Sequence, residues 1–79
     1  MTLAEQILAA VGGPRNVTGL TRCFARLRFA VLARAAVDEE AVGAIPEVAI
    51  GVHQRGEYHV ALRRGLAETY DELVRLLGR

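Results

Sequence analysis

Residues 48–62 read VAIGVHQRGEYHVAL, and this stretch decides the fold. Apolar residues alternate with small or polar ones on both sides of a short turn that contains Gly56. The apolar positions are Val48, Ile50 and Val52 before the turn and Tyr58, Val60 and Leu62 after it. Alternating runs that flank a glycine-containing turn are typical of a β-hairpin with one buried face. We therefore predict two antiparallel strands here, joined at Gln54, Arg55 and Gly56.

A second pair of strands is predicted nearer the N-terminus. Residues 26–32 alternate, with Leu27, Phe29 and Val31 on one face and Arg26, Arg28 and Ala30 on the other. This alternation predicts a half-buried strand. Residues 16–21 are rich in Val and Thr, which favours an extended conformation although the alternation is weak. We predict a strand there as well, so Cys23 is expected at the turn between the two strands.

Three helices complete the pattern. Thr2 and Glu5 are spaced as a capping box, which predicts a helix that starts there and runs to about Val11. Residues 38–40, Asp-Glu-Glu, place acceptors and negative charge at the start of a short helix of about two turns, and Pro46 closes that segment. A third helix, from about Arg64 to Leu77, is predicted from the apolar spacing of Leu66, Tyr70, Leu73, Val74 and Leu77.

The order of the predicted elements is helix, strand, strand, helix, strand, strand, helix. Parallel neighbours need a long crossover, and the connections within each pair of strands are too short for one, so the sheet is antiparallel. All the apolar faces are buried together only when the helices lie on one side. We therefore predict an α+β fold, a two-layer sandwich of a four-stranded antiparallel sheet with three helices on one face. The open face is predicted to carry Arg26, Arg28, His53 and His59.

Length and composition favour one small globular domain over residues 1–79. A chain of 79 residues holds a single core, and its 52% hydrophobic content is far above that of a disordered segment. Met1 and the lack of a linker favour a free-standing domain. No segment reaches the ~18 apolar residues of a membrane helix, and the N-terminus lacks a secretory-signal pattern. We therefore expect a cytoplasmic protein.

Absent residue types exclude several classes of protein. The chain has no Ser and no Lys, which excludes serine hydrolases, Schiff-base lysines and the P-loop lysine. Its single cysteine, Cys23, excludes an internal disulfide and a multi-cysteine zinc site. Neither a metal nor an organic cofactor is implied. The net charge of +1 is too small to predict a nucleic-acid partner.

Cys23 has two interpretations. Free cysteine is often buried as a small hydrophobic residue. However, Cys23 lies at a predicted turn, and Arg22, Arg26 and Arg28 lie within five residues of it. Guanidinium groups near a thiol favour the thiolate, which is the nucleophilic form. Composition and spacing alone leave both interpretations open.

These residues resemble a known family. The run from Cys23 to Phe29 is similar to the enzyme IIB domain of the bacterial sugar phosphotransferase system, in its glucose, N-acetylglucosamine, sucrose and β-glucoside branch. Its core is a cysteine, two further residues and then Arg-Leu-Arg leading into a strand. The resemblance covers nearly the whole chain and includes Asn16, Val17, Val37, Asp38 and residues 56–60. It implies an antiparallel sheet covered on one face by helices, as the patterning predicts.

The resemblance implies a phosphoryl carrier at the inner face of the cell membrane. Cys23 is expected to accept a phosphoryl group from a phosphohistidine of the IIA protein and to pass it to a sugar held in the membrane-embedded IIC subunit. Arg26 and Arg28 match two family arginines that are associated chiefly with transfer to the sugar. The backbone N–H groups of Phe24, Ala25 and Arg26 are expected to bind the phosphate, because consecutive N–H groups form an anion site.

Three positions depart from the family pattern. Ala25 stands in place of a Thr, His59 in place of a Gln, and Arg63 in place of a Gly. The hydroxyl lost at Ala25 leaves the backbone amides to bind phosphate there. His59 is a candidate phosphate-binding residue, and its alternative interpretation is an ordinary histidine on the solvent face. Arg63 is interpreted as a helix-start residue.

Two other classes of function stay open. A IIB-like regulatory module, whose phosphorylation state a partner senses, fits the loss of the family's Thr and Gln. A nucleic-acid binder would use the open face of the sheet, but that face lacks aromatic residues for base stacking apart from Phe24. Arg22 and Arg55 are interpreted as solvated charges, and Tyr58 and Tyr70 as core residues.

Overall fold

The computed structural model describes residues 1–78 and shows the predicted order of elements. Two short 3-10 turns, Pro14–Asn16 and Arg34–Ala36, are added to that order. The main elements are α1 (Leu3–Ala10), β1 (Val17–Cys23), β2 (Arg26–Val31), α2 (Glu39–Gly43), β3 (Val48–Gln54), β4 (Glu57–Leu62) and α3 (Leu66–Leu77). The sequence predicts one domain over residues 1–79, and residue 79 lies outside the described range.

The four strands form one sheet in the order β1-β2-β4-β3, and every neighbouring pair is antiparallel. Both hairpins are short. The β3–β4 turn has Arg55 at φ 53° and Gly56 at φ 80°, and two positive φ values are what a type I′ hairpin turn requires. The predicted α+β sandwich with an antiparallel sheet is therefore confirmed.

The helices cover one face of the sheet and bury its apolar side chains. Leu27 and Phe29 of β2 and Val60 of β4 are fully buried against helix residues such as Ile7 and Leu73. This apolar layer is the core of the domain. The opposite face carries no helix, so the side chains that alternate with the core residues are available for a functional site.

Side-chain caps mark where α1 and α2 begin. Thr2 caps α1 through a complete capping box, in which its Oγ1 accepts from the Glu5 N–H at 3.2 Å and its N–H donates to Glu5 Oε1 at 2.8 Å. Asp38 caps α2 by accepting from the Ala41 N–H at 3.0 Å. Helix α2 is five residues long and ends at Gly43, shorter than the two turns predicted, because glycine is a poor helix former.

The predicted faces of Ile50, Val52 and His53 in β3 are wrong. His53 was expected on the open face, but its ring packs against Tyr58 on the helix-covered side, with ring centroids 4.7 Å apart and ring planes tilted by 60°. The cause is a β-bulge between Val48 and Ile50, which adds a residue and inverts the alternation of β3. Past the bulge, His53 lies opposite Tyr58, and Ile50 lies on the open face, where it is 51% exposed.

Candidate functional site

Cys23 is the last residue of β1 and lies at the surface, immediately before a two-residue hairpin turn. The turn consists of Phe24 and Ala25, and β2 begins at Arg26, directly opposite Cys23 in the register. Phe24 has a positive φ of 52° and is fully exposed. The structure therefore presents the thiol at the tip of the β1–β2 hairpin, and the interpretation of Cys23 as a buried small hydrophobe is wrong.

The turn next to Cys23 offers backbone donors. The N–H groups of Phe24 and Ala25 donate no backbone hydrogen bond within residues 1–78. The Ala25 carbonyl accepts from the Leu62 N–H at 3.1 Å, which ties the turn to the end of β4. An anchored turn with two free N–H groups is a suitable place for an anion.

A pocket of about 370 Å³ opens beside the thiol and is called the Cys23 pocket below. All six candidate residues predicted from the sequence line it. Its full lining is Cys23, Phe24, Ala25, Arg26, Arg28, Gln54, Arg55, Glu57 and His59. The structure therefore brings the predicted nucleophile, both predicted arginines and the predicted phosphate-binding residues into one cavity.

The strand register explains why these side chains meet. Arg26 lies opposite Cys23, and two residues further along β2, on the same face, Arg28 lies opposite His59 of β4. Residues two apart on a strand share a face, so both pairs point to the open side of the sheet. Arg26 Nη1 also donates to Gln54 Oε1 at 3.4 Å, which links β2 to the end of β3.

His59 is buried among the residues that line the pocket. Its side chain is 8% exposed, and its Nε2 lies 3.1 Å from Glu57 Oε1. Its Nδ1 and the Nε of the neighbouring Arg28 are both shielded from solvent and have no hydrogen-bond partner. His59 is therefore not the ordinary solvent-face histidine of the alternative interpretation.

Sequence reasoning missed three residues of the pocket, namely Gln54, Arg55 and Glu57. Glu57 was detectable, because it lies two residues before His59 on the same strand and must share its face. Gln54 was hidden by the unpredicted bulge in β3, which moves it to the open side. Arg55 was interpreted as a solvated charge, yet the β3–β4 turn brings it to the rim of the pocket.

Two other basic residues do not join the pocket. The guanidinium of Arg22 lies 5.3 Å from the ring centroid of Tyr70, which belongs to α3 on the helix-covered side. Arg63 donates its Nε to the Pro46 carbonyl at 3.3 Å, and its N–H to the Glu47 carbonyl at 2.8 Å. These contacts point both residues away from the pocket, and Arg22 is exposed to solvent.

The charge of the pocket suits an anionic group. Three arginines and one carboxylate line it, and guanidinium groups bind phosphate and carboxylate oxygens in a planar, two-pronged geometry. An exposed thiol within such a pocket can take up and release an anionic group. Over residues 1–78, the structure has no cluster of three His, Cys, Asp or Glu side chains that would hold a metal ion.

No helix within the described residues is long and apolar enough to cross a membrane.

Comparison with known proteins shows what the chain is similar to. A family described as "phosphotransferase system, EIIB" matches residues 5–38, which include the thiol and both predicted arginines. The trehalose-specific EIIBC component of Bacillus subtilis is 37% identical over 95% of this chain. The glucose-specific EIIBCA component of Corynebacterium glutamicum is 35% identical over 98% of it. The chain spans only 16% and 12% of the lengths of these two relatives.

A solved structure shares the fold. The crystal structure of one domain of the IIabc component of the phosphotransferase system from Clostridium difficile superposes with a TM-score of 0.80 and 25% sequence identity. The match covers 95% of this chain and 78% of that one. Fold, family match and relatives agree: the chain is similar to the EIIB domain of the phosphotransferase system in sequence and in structure.

Proposed function

We propose that this protein is a phosphocysteine carrier of a sugar phosphotransferase system. It accepts a phosphoryl group from a phosphohistidine of a IIA protein and transfers it to a sugar bound in a membrane IIC subunit. The observation that carries the proposal is the exposed thiol of Cys23 in one pocket with Arg26 and Arg28. The family match and the fused EIIBC and EIIBCA relatives support it.

Each step of the proposed reaction exchanges one bond to phosphorus for another. In loading, the Cys23 thiolate attacks the phosphorus of phosphohistidine, an S–P bond forms, the N–P bond breaks, and the histidine nitrogen keeps the electron pair. In delivery, a sugar hydroxyl oxygen attacks the same phosphorus, the S–P bond breaks, and the thiolate is regenerated. The hydroxyl proton leaves to a base on the IIC side. No net oxidation or reduction takes place.

The pocket supplies what phosphoryl transfer needs, which is positioning and positive charge around the oxygens in flight. Arg26 and Arg28 stabilise the transferring group, chiefly during delivery. The free N–H groups of Phe24 and Ala25 bind the phosphoryl oxygens at the turn, where Ala25 offers no hydroxyl. His59 contributes to the phosphate site from the buried side of the pocket.

The proposed partners are the IIA phosphodonor and the IIC permease subunit, with the sugar reached only through IIC. The proposed location is the cytoplasmic side of the cell membrane, where both partners are accessible. The Cys23 pocket lies on the helix-free face of the sheet, so a partner protein approaches it without displacing α1 or α3. This placement is compatible with docking of a phosphohistidine side chain.

The direct test of loading is the intact mass of the protein after incubation with phosphoenolpyruvate and the general components of the relay. We expect one added phosphoryl group in the wild type and none in Cys23→Ser. Arg26→Ala and Arg28→Ala are expected to load but to lose delivery to sugar in membranes that carry the cognate IIC. Loading that persists in Cys23→Ser would remove the mechanism.

Delivery separates the carrier from the regulatory alternative. A carrier loses its phosphate when IIC membranes and sugar are added together, whereas a phosphorylation sensor keeps it. The control is the same mixture without sugar, in which the carrier also keeps its phosphate. Retention of the phosphate in both mixtures would favour the regulatory module.

A further inference from the structure

Two buried polar atoms beside the Cys23 pocket have no hydrogen-bond partner, and they are the only such side-chain atoms within residues 1–78. They are Nε of Arg28 and Nδ1 of His59. A buried polar atom without a partner is destabilising, so the presence of these two requires an explanation. Both residues line the pocket that holds the thiol.

The two atoms belong to residues that face each other. Arg28 of β2 and His59 of β4 are direct partners in the antiparallel register. Side chains of such partners start about 5 Å apart at Cβ, within mutual reach of an arginine and a histidine. The two unpartnered atoms therefore belong to a single pair of side chains.

Glu57 decides which of the two atoms donates and which accepts. Its Oε1 lies 3.1 Å from His59 Nε2, and an ionised carboxylate only accepts, so Nε2 carries the ring proton. In a neutral imidazole, Nδ1 is then an acceptor, while the Nε–H of Arg28 is always a donor. The orphaned acceptor and the orphaned donor are complementary.

We propose that Glu57 and His59 are positioning residues for Arg28 during delivery of the phosphoryl group. The proposed chain runs from Arg28 Nε–H to His59 Nδ1, and from His59 Nε2–H to Glu57 Oε1. It closes when the phosphoryl group on Cys23 draws the two terminal nitrogens of Arg28 toward its oxygens. Holding the guanidinium by its Nε leaves both terminal groups free for phosphate.

This proposal rests on the proposed function and specifies how His59 serves it. In the proposed hydrogen-bond chain His59 Nδ1 is the acceptor, because a proton on that atom would set an N–H against the Arg28 donor. The charged groups around it are Arg28 from β2 and Glu57 from β4, with Arg26 and Arg55 at the pocket. Val52, opposite it on β3, carries no charge, and the helices lie on the other face.

Matched variants test the proposed hydrogen-bond chain through the rate of phosphoryl delivery to sugar after loading of Cys23. His59→Gln keeps one donor and one acceptor, so we expect delivery within a few-fold of wild type, whereas His59→Leu keeps neither. The expected loss in His59→Leu is about tenfold to a hundredfold, as for a misplaced transferring group. Likewise, Glu57→Gln retains an acceptor oxygen and Glu57→Ala does not. Equal delivery in both members of each pair would overturn the proposal.

A double-mutant cycle separates positioning from direct contact. If His59 acts only through the Nε–H of Arg28, adding His59→Leu to Arg28→Lys, which keeps the charge but lacks that Nε–H, produces no further loss of the residual delivery. If His59 contacts the phosphoryl group itself, the two losses multiply, and the positioning role is wrong. Loading of each variant, read from its intact mass, shows that the pocket is still formed.

Nitrogen NMR gives a readout that does not depend on activity. In mildly alkaline buffer, long-range proton–nitrogen spectra are expected to show the His59 proton on Nε2, and to lose that preference in Glu57→Ala. A proton on Nδ1 would overturn the proposed chain even if Cys23 carries phosphate. Conversely, a wild-type protein that never loads would refute the phosphocarrier function while leaving the tautomer result intact.

Discussion

Gly51 lies where β3 passes over the ring of Tyr58. A Cβ at this position would meet the Tyr58 hydroxyl and the side chain of Val42, so the strand packs against the core only because the side chain is missing. The β-bulge before Gly51 gives it this inward position, opposite Val60. Because Gly51 has no side chain, α2 and Tyr58 can both pack closely against β3.

Gly51→Ala is therefore expected to destabilise the protein by about 1–3 kcal/mol, the usual cost of overpacking a core. Gly43→Ala is the matched control, since nothing lies within 4 Å of its added Cβ and alanine is the better helix former. Urea unfolding followed by circular dichroism measures both. Equal midpoints for the two variants would contradict the close packing at Gly51.

Cys23 allows a second prediction at this scale, because its thiol is exposed in the folded protein. Iodoacetamide should alkylate it without denaturant, and the alkylated protein should keep its circular dichroism spectrum but lose loading by phospho-IIA. Intact mass follows both reactions, and Cys23→Ser is the unreactive control. A requirement for urea before alkylation would show that the thiol is inaccessible.

At the scale of elements, the N-cap residue of α1 holds the start of that helix at two points. Thr2 caps α1, and its Oγ1 also donates to Glu72 Oε2 of α3 at 2.7 Å. We expect Thr2→Ala to cost about 0.5–2 kcal/mol and Thr2→Ser to cost only a few tenths, because serine keeps the capping oxygen. Urea midpoints of the two variants provide the measurement. A Ser variant as unstable as the Ala variant would show that the cap is not the cause.

The same cap makes stability depend on pH. Hydrogen bonding from the Thr2 backbone N–H is the main cause that lowers the pKa of Glu5 below its ordinary value of 4.5. A carboxyl with a lowered pKa in the folded state stabilises the protein above its unfolded pKa, and this contribution is lost as the pH falls through the folded pKa. Urea midpoints measured from neutral to acidic pH should fall less steeply in Glu5→Gln than in wild type. Parallel curves would contradict this prediction.

The strand elements show why the sequence predicted some positions and not others. In β2 and β4 the alternation is unbroken, so Arg28 and His59 were correctly placed on the open face. In β3 the bulge reverses the alternation, and His53 was placed on the wrong side. A bulge adds one residue without changing composition, so periodicity alone does not detect it. Because His53 does not lie on the open face, the nucleic-acid hypothesis, which placed it there, is also weakened.

At the scale of the molecule, element order and fold class were predictable because each apolar stripe has one place to be buried. The site was predictable in part, since Cys23, Arg26 and Arg28 are close in sequence and lie on one hairpin. Arg55 and Gln54 come from the other hairpin, and only the strand order β1-β2-β4-β3 brings that hairpin beside the first. Neighbours of this kind depend on sheet topology, which no local pattern records.

The two-layer arrangement also predicts which residues change their amide NMR shifts when Cys23 is phosphorylated. The Cys23 pocket lies on the face opposite the helices, so amide NMR shifts on phosphorylation should concentrate in residues 23–28 and 54–59. Residues of α1 and α3 should keep their shifts, because the core layer separates them from the phosphate. Large changes throughout both helices would contradict this separation and would indicate a change in the packing of the whole domain.

Because the thiol lies on the one face of the sheet that no helix covers, the proposed relay is limited in the order in which its partners can bind. The proposed IIA donor and IIC recipient must both reach Cys23 from the helix-free face, so only one of them can be bound at a time. One partner must dissociate before the other binds, and tight binding of either would slow phosphoryl transfer. In the proposed relay, the two partners are therefore expected to bind in alternation.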